Sequence, residues 1–207
     1  METIELFSGT QSFSKVAKER GHKTFCIDNN PRFNNDMTTS ILRLKGFVWC
    51  MDLLWASPPC TTFSIASCYH HWNKDKTPKT KECKRGLELL RHTVYLISKE
   101  KPKYWFIENP RGLMRKHIDK YFEMYGLKDV IRHTVTYCQY GDTRMKPTDI
   151  WTNCKEWKPK PMCKNGDPCH VSAPRGSRTG TQGLKNNMER SVIPPALFEE
   201  IFDSLLK

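Results

Sequence analysis

A buried strand that runs into two prolines and then a cysteine is the feature that most constrains this chain. Residues 52–56 form a short apolar run, and Pro58 and Pro59 stop it, because proline lacks the amide hydrogen that a central strand needs. Cys60 is the first residue after the stop. Open α/β sheets keep their chemistry at the carboxyl ends of parallel strands. We therefore predict a functional thiol at a strand end.

A second stretch, residues 104–110, has the same construction. Its apolar run ends in Glu108 and Asn109, and Pro110 follows at once. A thiol and a carboxyl group at neighbouring strand ends are suited to act on one substrate as nucleophile and acid. Cys60 and Glu108 are therefore the predicted catalytic pair.

The beginning of the chain predicts a cofactor site. Residues 3–7 are apolar, residues 8–10 form a turn, and helical spacing starts at Phe13. Such an order is typical of a nucleotide-like cofactor at a helix N-terminus, although ordinary turns share it. The next strand ends in Asp28, which can accept both hydroxyls of a ribose or cap the turn that ends at Pro31.

Charge and cysteine content narrow the partners and the compartment. The 207 residues suffice for one domain, and 34 basic side chains against 22 acidic ones favour a polyanionic partner, although a basic surface can also serve solubility alone. Nine cysteines, an odd number, argue against a disulfide framework. We expect a chain of the reducing cytoplasm, without signal peptide or membrane span.

A polar segment near the C-terminus carries four soft metal ligands. The region from 153 to 187 is rich in proline, glycine and lysine and cannot bury enough surface to order itself. A structural zinc would supply the missing stability, with Asp167 as a replacement ligand, whereas free thiols are the alternative. The predicted ligands are Cys154, Cys163, Cys169 and His170.

Three stretches together resemble motifs of the DNA cytosine-5 methyltransferases, and most closely those of the small bacteriophage-encoded members. The matching segments cover a cofactor loop, a Pro-Cys motif and a Glu-Asn motif. They are Glu5 to Thr10, Pro58 to Cys60 with Phe63 and Ser64, and Glu108 to Pro110.

The resemblance implies a fold and a division of the chain. The fold is α/β, a Rossmann-like S-adenosylmethionine-dependent methyltransferase sheet with helices on both faces and a small insertion that can hold zinc. We expect residues 1–152 to form the catalytic core, 153–187 a target-recognition segment, and 188–207 a helix that returns to the core. The expected partner is double-stranded DNA, bound by a monomer with no membrane involved. A phage-encoded chain would act in the cytoplasm of a bacterial host.

The implied cofactor is S-adenosylmethionine. Its expected contacts are the first loop, the end of the second strand, the residues before the catalytic cysteine, a helix leucine that also fits a core position, and the last motif. They are Phe7, Ser8, Gly9, Thr10, Asp28, Asn29, Ser57, Pro58, Leu87, Ser191 and Val192.

The resemblance also implies residues that hold DNA. The basic, aromatic loop after Cys60 is expected to close over a flipped-out base, and Arg144 to steady that base as a third catalytic residue. The segment after the cysteines is expected to read bases or hold phosphates. The predicted DNA contacts are Ser64, Lys74, Lys146, Arg175, Arg178 and Gln182.

The implied reaction is methylation of cytosine at C5, with Cys60 adding to C6. Three departures from the family pattern are Gln11 in place of a glycine, Arg190 in place of an asparagine, and no clear acid for the adenine, with Asp36 the nearest. They favour an alternative, an inactive or altered-donor DNA-binding homologue. An RNA cytosine methyltransferase is a second alternative. A zinc deaminase is excluded, because its His-x-Glu and Cys-x-x-Cys patterns are missing.

Overall fold

A computed structural model describes residues 1–48, 50–172, 184 and 186–206. Seven strands form one mixed sheet in the order β3-β2-β1-β4-β5-β7-β6. The strands are β1 (Glu2–Leu6), β2 (Lys23–Asp28), β3 (Met37–Thr38), β4 (Leu53–Ala56), β5 (Tyr104–Pro110), β6 (Ile131–Thr136) and β7 (Pro147–Thr152).

The first five strands are parallel to one another, and β7 is antiparallel to both of its neighbours. Strands β6 and β7 form a hairpin, with Thr136 opposite Pro147. Because β1, β4 and β5 run in the same direction, their carboxyl ends meet at one edge of the sheet. We call this the catalytic edge; the ends of β6 and the start of β7 lie there too, since Pro110 pairs with Thr148.

Helices cover both faces of the sheet. They are α1 (Ser12–Glu19), α2 (Cys68–His71), α3 (Lys81–Glu100), α4 (Asp119–Met124), α5 (Asn187–Ser191) and α6 (Pro195–Leu205). Alternation along β4 divides the core in two: Leu54 and Ala56 pack with α3 and α4, whereas Leu53 and Trp55 pack with α1 and α6. The expected α/β sheet with helices on both faces is therefore confirmed.

Local signals explain where the longest and the last helix begin. The Thr80 hydroxyl accepts a hydrogen bond from the amide of Cys83 and so caps α3. Pro195 begins α6, where its fixed backbone angle suits a first helical residue. Leu197 and Ile201 of α6 are fully buried, as predicted from their helical spacing.

Two segments differ from regular secondary structure. The chain after β5 forms a 3-10 turn, Leu113–Lys116, and then the short helix α4. Residues 153–172, all of which are described, contain turns but neither helix nor strand. Trp157 nevertheless anchors them, because its buried ring packs in the core beside α6. The division into three parts at 152 and 187 stays a prediction. No helix among the described residues has the length and apolar character to cross a bilayer.

Candidate active site

A cavity of about 150 Å³ opens at the catalytic edge of the sheet, where β1, β4 and β5 end. The predicted catalytic residues Cys60 and Glu108 both line it. Its other lining residues come from the first loop, the Pro-Cys motif, the hairpin and the C-terminal segment. They are Glu5, Phe7, Ser8, Gly9, Thr10, Ser12, Ser57, Pro58, Pro59, Pro110, Lys146, Ser191 and Ile193.

Hydrogen bonds to two backbone carbonyls hold the segments after β4 and β5 against each other. The buried Asn109 donates a hydrogen bond of 2.8 Å to the carbonyl of Pro58. The carbonyl of Phe63 accepts a hydrogen bond from the Leu113 amide, and a Cβ on Gly112 would lie only 2.3 Å from that same oxygen. Glycine is therefore required at 112 for the two loops to approach, and the thiol and the carboxyl are held in a fixed relation.

The charges around Cys60 oppose one another. Desolvation raises the pKa of the Cys60 thiol and the Glu108 carboxylate adds to the rise, whereas the cations Lys146 and Arg190 lower it. Without substrate the thiol is therefore mostly protonated near neutral pH. Desolvation also lowers the pKa of Lys146, partly offset by Glu108 and Cys60. A lysine, a thiol and a carboxyl thus share one partly dehydrated site.

Lys146 is the basic residue of the hairpin that reaches the cavity. Its ammonium donates a hydrogen bond of 3.0 Å to the carbonyl of Arg190 and lies 4.7 Å from the centre of the Tyr137 ring. The sequence named it as a DNA contact, and the structure brings it beside the predicted catalytic pair instead of onto the outer surface.

Tyr137 is a further member of the site that the sequence analysis missed. Its fully buried hydroxyl donates a hydrogen bond of 2.9 Å to Oε1 of Glu108. Burial raises the pKa of Tyr137 well above its usual value, and the neighbouring carboxylate raises it further. The phenol therefore remains a donor and orients the carboxyl group. The alternation of β6 indicated only that Tyr137 shares the buried face of Val135.

Arg144 is not part of the cavity lining, and its predicted catalytic role stays a prediction. It forms an ion pair with Asp142, and both side chains are largely buried. Its guanidinium also donates to the carbonyls of residues 189, 190 and 192, at 3.1 to 3.3 Å. All of these partners belong to the protein. Arg144 thus fastens the C-terminal segment to the hairpin and acts on the site through Ser191 and Ile193.

Most of the predicted cofactor residues lie along two cavities. Phe7, Ser8, Gly9, Thr10, Ser57, Pro58 and Ser191 line the first. Asp28 and Asn29 line a smaller one, which shares Phe7 and Pro59 with the first. Its remaining lining residues are Thr39, Ser40, Ile41 and Leu89.

Two predicted cofactor contacts are each replaced by a near neighbour. Leu87 packs at the edge of the core, and Leu89 lines the smaller cavity in its place. Val192 is 40% exposed and contributes its carbonyl to Arg144, whereas Ile193 lines the larger cavity.

Asp28 caps its turn and also lines the smaller cavity, and its predicted contact with a ribose stays a prediction. One carboxylate oxygen accepts the Gly9 amide at 3.0 Å, and the other accepts the Asn30 amide at 2.8 Å. Each oxygen retains a further lone pair, and the side chain lines the smaller cavity. It therefore caps its turn and can still accept the hydroxyls of a ribose. Asp36 instead accepts the Cys26 amide at 2.7 Å and does not line that cavity.

The N-terminus of α1 is occupied by a side chain of the protein. Glu5 accepts the amides of Phe13 and Ser14, at 3.3 and 2.9 Å. These two donors are therefore already used within the protein, and the expected cofactor position at that helix terminus stays a prediction. Burial raises the pKa of Glu5 from 4.5 to about 7, against the effect of its hydrogen bonds.

Gln11 shows why a glycine would suit the first loop. Its backbone is left-handed, with φ of 57°, a conformation that L-residues with a side chain adopt at a cost. Its side-chain amide donates to the carbonyl of Asn34, so the loop is bulkier and also tied to the segment after β2.

The predicted DNA contacts have different surroundings. Lys74 lies in an open basic cleft with the exposed Tyr69 and with Lys76 and Lys79. Trp72 is buried and donates to the Thr62 carbonyl, so it is a core residue and not a stacking platform.

Two other groups of predicted DNA contacts complete the comparison. Ser64 accepts the Ala66 amide and caps a short turn after Cys60. Arg175, Arg178 and Gln182 lie outside the described residues.

Three of the four predicted metal ligands come together, with a different fourth partner. Cys163, Cys169 and His170 group with Cys138, and their ligand atoms lie within 4.8 Å of one another. Cys154 is corrected, because it is buried in the core beside α6 and contacts Glu156 instead.

Comparisons with known proteins converge on one family. Residues 1–125 match the family model described as C-5 cytosine-specific DNA methylase. A protein of Frog virus 3 (isolate Goorha), named "Probable DNA (cytosine-5)-methyltransferase", is 30% identical over 227 aligned positions, which cover 98% of this chain and 99% of the viral protein.

Solved structures with the same fold include a prophage-encoded Escherichia coli protein, described as a candidate DNA modification methyltransferase, with 17% identity and a TM-score of 0.56. The alignment covers 73% of this chain and 46% of the Escherichia coli chain. The structure of Entamoeba histolytica methyltransferase EhMeth has 15% identity and a TM-score of 0.52, and the alignment covers 77% of this chain and 55% of EhMeth. This chain thus spans about half the length of these solved structures. At such identities the likeness shows the fold.

Proposed function

The chain belongs to the C-5 cytosine-specific DNA methylase family, and from that premise we propose that it transfers a methyl group from S-adenosylmethionine to C5 of cytosine in double-stranded DNA. The observation that carries the proposal is the shared cavity. Cys60 and Glu108 line it together with residues 7–10 of the first loop, so that one site can hold acceptor and donor.

The arrangement of the two cavities fits the proposed donor. The smaller cavity offers Asp28 to ribose hydroxyls, and Leu89 provides an apolar wall for a base. Phe7 and Pro59 connect it to the larger cavity, so that an elongated nucleoside can extend from one to the other. When bound, the donor supplies an electrophilic methyl group.

The proposed chemistry follows from the weak nucleophilicity of cytosine C5. Cys60 loses its proton and bonds through sulfur to C6, which pushes an electron pair into the ring. Glu108 shares a proton with N3 and so stabilises the resulting enamine. C5 then bonds to the methyl carbon while the bond from that carbon to the donor's sulfur breaks, so that S-adenosylhomocysteine is the leaving group. C5 next loses its proton to a base, and the electron pair left behind breaks the bond between C6 and the Cys60 sulfur. The thiolate is restored, and the ring is aromatic again.

Three other residues prepare this pair for the reaction. Tyr137 holds the Glu108 carboxyl group through its hydrogen bond. Lys146 places a positive charge where the thiolate forms, and this charge opposes the desolvation that raises the pKa of Cys60. Asn109 fixes the loop that precedes the cysteine.

Access to C6 requires that the cytosine leave the duplex, at a cost of a few kcal/mol. The excess of twelve positive charges favours binding to the phosphate backbone. The cleft with Lys74 and Tyr69 lies in the loop directly after Cys60, where a cation and an exposed aromatic ring suit a phosphate and an unstacked base.

The test is to incubate the protein with duplex DNA and methyl-labelled S-adenosylmethionine, digest the DNA and identify the labelled nucleoside by mass. We expect label in 5-methyldeoxycytidine. Cys60→Ala should abolish transfer and retain donor binding, whereas Cys50→Ala, which removes an exposed thiol elsewhere, should remain active. Label in a different nucleoside, label only in an RNA substrate, or full activity of Cys60→Ala would overturn the proposal.

We also propose zinc as a second, structural cofactor. The support is the group formed by Cys138, Cys163, Cys169 and His170, whose sulfur and imidazole ligands are those that zinc prefers. This group does not line the catalytic cavity, so the ion would not contact the reacting atoms.

A further inference from the structure

The four ligand atoms of the Cys/His group lie within 4.8 Å of one another, and three of the six distances between them are those of a zinc tetrahedron. Zinc bonds of about 2.3 Å to sulfur and about 2.05 Å to nitrogen imply edges of roughly 3.8 Å between sulfurs and roughly 3.6 Å from sulfur to nitrogen. Cys169 Sγ lies 3.7 Å from Cys138 Sγ and 3.6 Å from His170 Nδ1, and Cys163 Sγ lies 3.7 Å from that nitrogen. Three of the edges therefore match.

The fourth edge argues against a disulfide. The sulfurs of Cys138 and Cys163 lie 3.1 Å apart, which is shorter than the ideal zinc edge but far longer than the bond of about 2.05 Å in a disulfide. Both cysteines are largely buried. Two cysteine sulfurs that bind one metal ion lie close together without a bond between them.

The ligands come from two parts of the chain that are distant in sequence. Cys138 belongs to the 3-10 turn Tyr137–Tyr140 directly after β6, and the other three belong to the irregular segment after β7. We call residues 158–171 of that segment the zinc strap. An ion held by both parts joins the strap to the turn.

The turn to which the strap is joined carries active-site residues. Tyr137, next to Cys138, holds Glu108, and its amide donates to the carbonyl of Met145, the residue before Lys146. The strap also contacts the residues on either side of this turn. The Cys163 amide donates to Oγ1 of Thr136, the last residue of β6, at 3.1 Å, and the Val171 amide donates at 2.9 Å to the carbonyl of Thr143, which lies between the turn and β7.

We propose that zinc bound by Cys138, Cys163, Cys169 and His170 clamps the zinc strap onto the turn 137–146, and that methyl transfer depends on this clamp because it positions Tyr137 and Lys146. The inference rests on the proposed zinc site and on the proposed methyl transfer. The strap itself has no helix or strand to hold its shape, so the ion and a few hydrogen bonds carry its order.

The first part of the test measures the metal without any use of activity. Purified reduced protein should contain one zinc ion per chain, and cobalt substitution should give the visible bands of a tetrahedral site with thiolate charge transfer in the near ultraviolet. Cys169→Ser and His170→Ala, which alter ligands at the protein surface, should weaken metal binding by at least about tenfold. Cys154→Ala, which removes the other cysteine predicted as a ligand, should keep one zinc per chain.

The second part measures the clamp. Chelation should increase hydrogen exchange in residues 137–146 and 158–171, and it should lower kcat for methyl transfer at least about tenfold, with recovery when zinc is restored. Exchange in β1 and β4 should remain unchanged, which shows that the fold survives.

The outcomes separate the levels of the inference. Reduced protein without stoichiometric metal, or a Cys138–Cys163 disulfide in protein purified without added oxidant, would overturn the zinc site. One zinc per chain whose removal changes neither exchange nor kcat would overturn the clamp and leave the site. One zinc per chain in a protein that methylates no nucleic acid would overturn the proposed function instead.

Discussion

Replacing Arg144 by methionine tests whether this residue acts on the base or on the C-terminal segment. Methionine keeps roughly the length of the aliphatic part of the arginine side chain and lacks the guanidinium. It leaves Asp142 without its paired arginine and the carbonyls of residues 189 and 192 without their side-chain donor, in a site where the arginine side chain is 5% exposed. The carbonyl of Arg190 keeps its hydrogen bond from Lys146. Breaking a buried ion pair by removing one partner costs about 3–5 kcal/mol. In a chain of this size the corresponding fall in Tm is roughly 6–20 °C.

The expected kinetic effect follows from the same contacts. Ser191 and Ile193 line the larger cavity, and Arg144 holds the backbone on both sides of Ser191 and directly before Ile193. Releasing this segment should raise KM for S-adenosylmethionine by about tenfold, equivalent to ~1.4 kcal/mol, and should change kcat less. Urea unfolding and initial rates at varied donor concentration measure the two effects.

Two variants provide the controls for this prediction. Arg85→Met removes an exposed helix cation that is paired with Glu88, and it should cost no more than about 1 kcal/mol. Asp142→Asn combined with Arg144→Met should be less destabilised than the sum of the single changes, because no unpaired charge remains. A fall in kcat with unchanged KM and unchanged stability of Arg144→Met would refute the reasoning, since it would mean that the guanidinium acts on the reacting base.

Two further predictions concern buried groups beside the catalytic cavity. Tyr137→Phe removes the hydroxyl that donates to Glu108 and should lower kcat about tenfold, or ~1.4 kcal/mol, with little change in KM, in steady-state methyl transfer; an unchanged kcat would exclude the orienting role. Because burial raises the pKa of Glu5 to about 7, the folded chain retains a proton that the unfolded chain releases above 4.5, so stability from this group is present at low pH and is lost as the pH rises from about 4.5 to about 7. The loss amounts to roughly 3 kcal/mol, and urea unfolding should show a flatter pH dependence for Glu5→Gln; equal slopes for both proteins would contradict the assignment.

The regular parts of the fold were predictable because their signals are local. The apolar runs that end at prolines became β4 and β5, and the spacing of Leu197 and Ile201 gave the buried face of α6. The pairing of Cys60 with Glu108 in one cavity follows from two parallel strands that end at the same edge. Each of these predictions needed only periodicity, strand stops and the direction of neighbouring strands.

The residues that lie elsewhere than the sequence predicted show what these local signals do not determine, which is the direction of an individual side chain. Leu87 and Leu89 lie two positions apart on a helix and so face different directions, and a helix stripe alone does not fix which one meets a ligand. Val192 and Ile193 are neighbours in an extended segment and point to opposite sides for the same reason. Arg144 and Lys146 lie in an irregular turn, where no periodic pattern predicts which side chain faces the cavity. Asp142 binds Arg144, and Lys146 is the one that lines the cavity.

The choice between Cys154 and Cys138 as a metal ligand was decided by the direction of the hairpin. Cys138 follows the end of β6 at the catalytic edge, whereas Cys154 follows the end of β7 and therefore lies at the opposite edge. Six residues of strand span roughly 20 Å, and the nine steps from Cys154 to Cys163 can extend about 30 Å, so the chain between them is long enough to cross the sheet. The interval between Cys154 and Cys163 is therefore the length of chain that crosses the sheet, and it is not the spacing of two ligands in one metal loop. It returns Cys163 to the catalytic edge, and this is why a metal bound there can act on the turn that carries Tyr137.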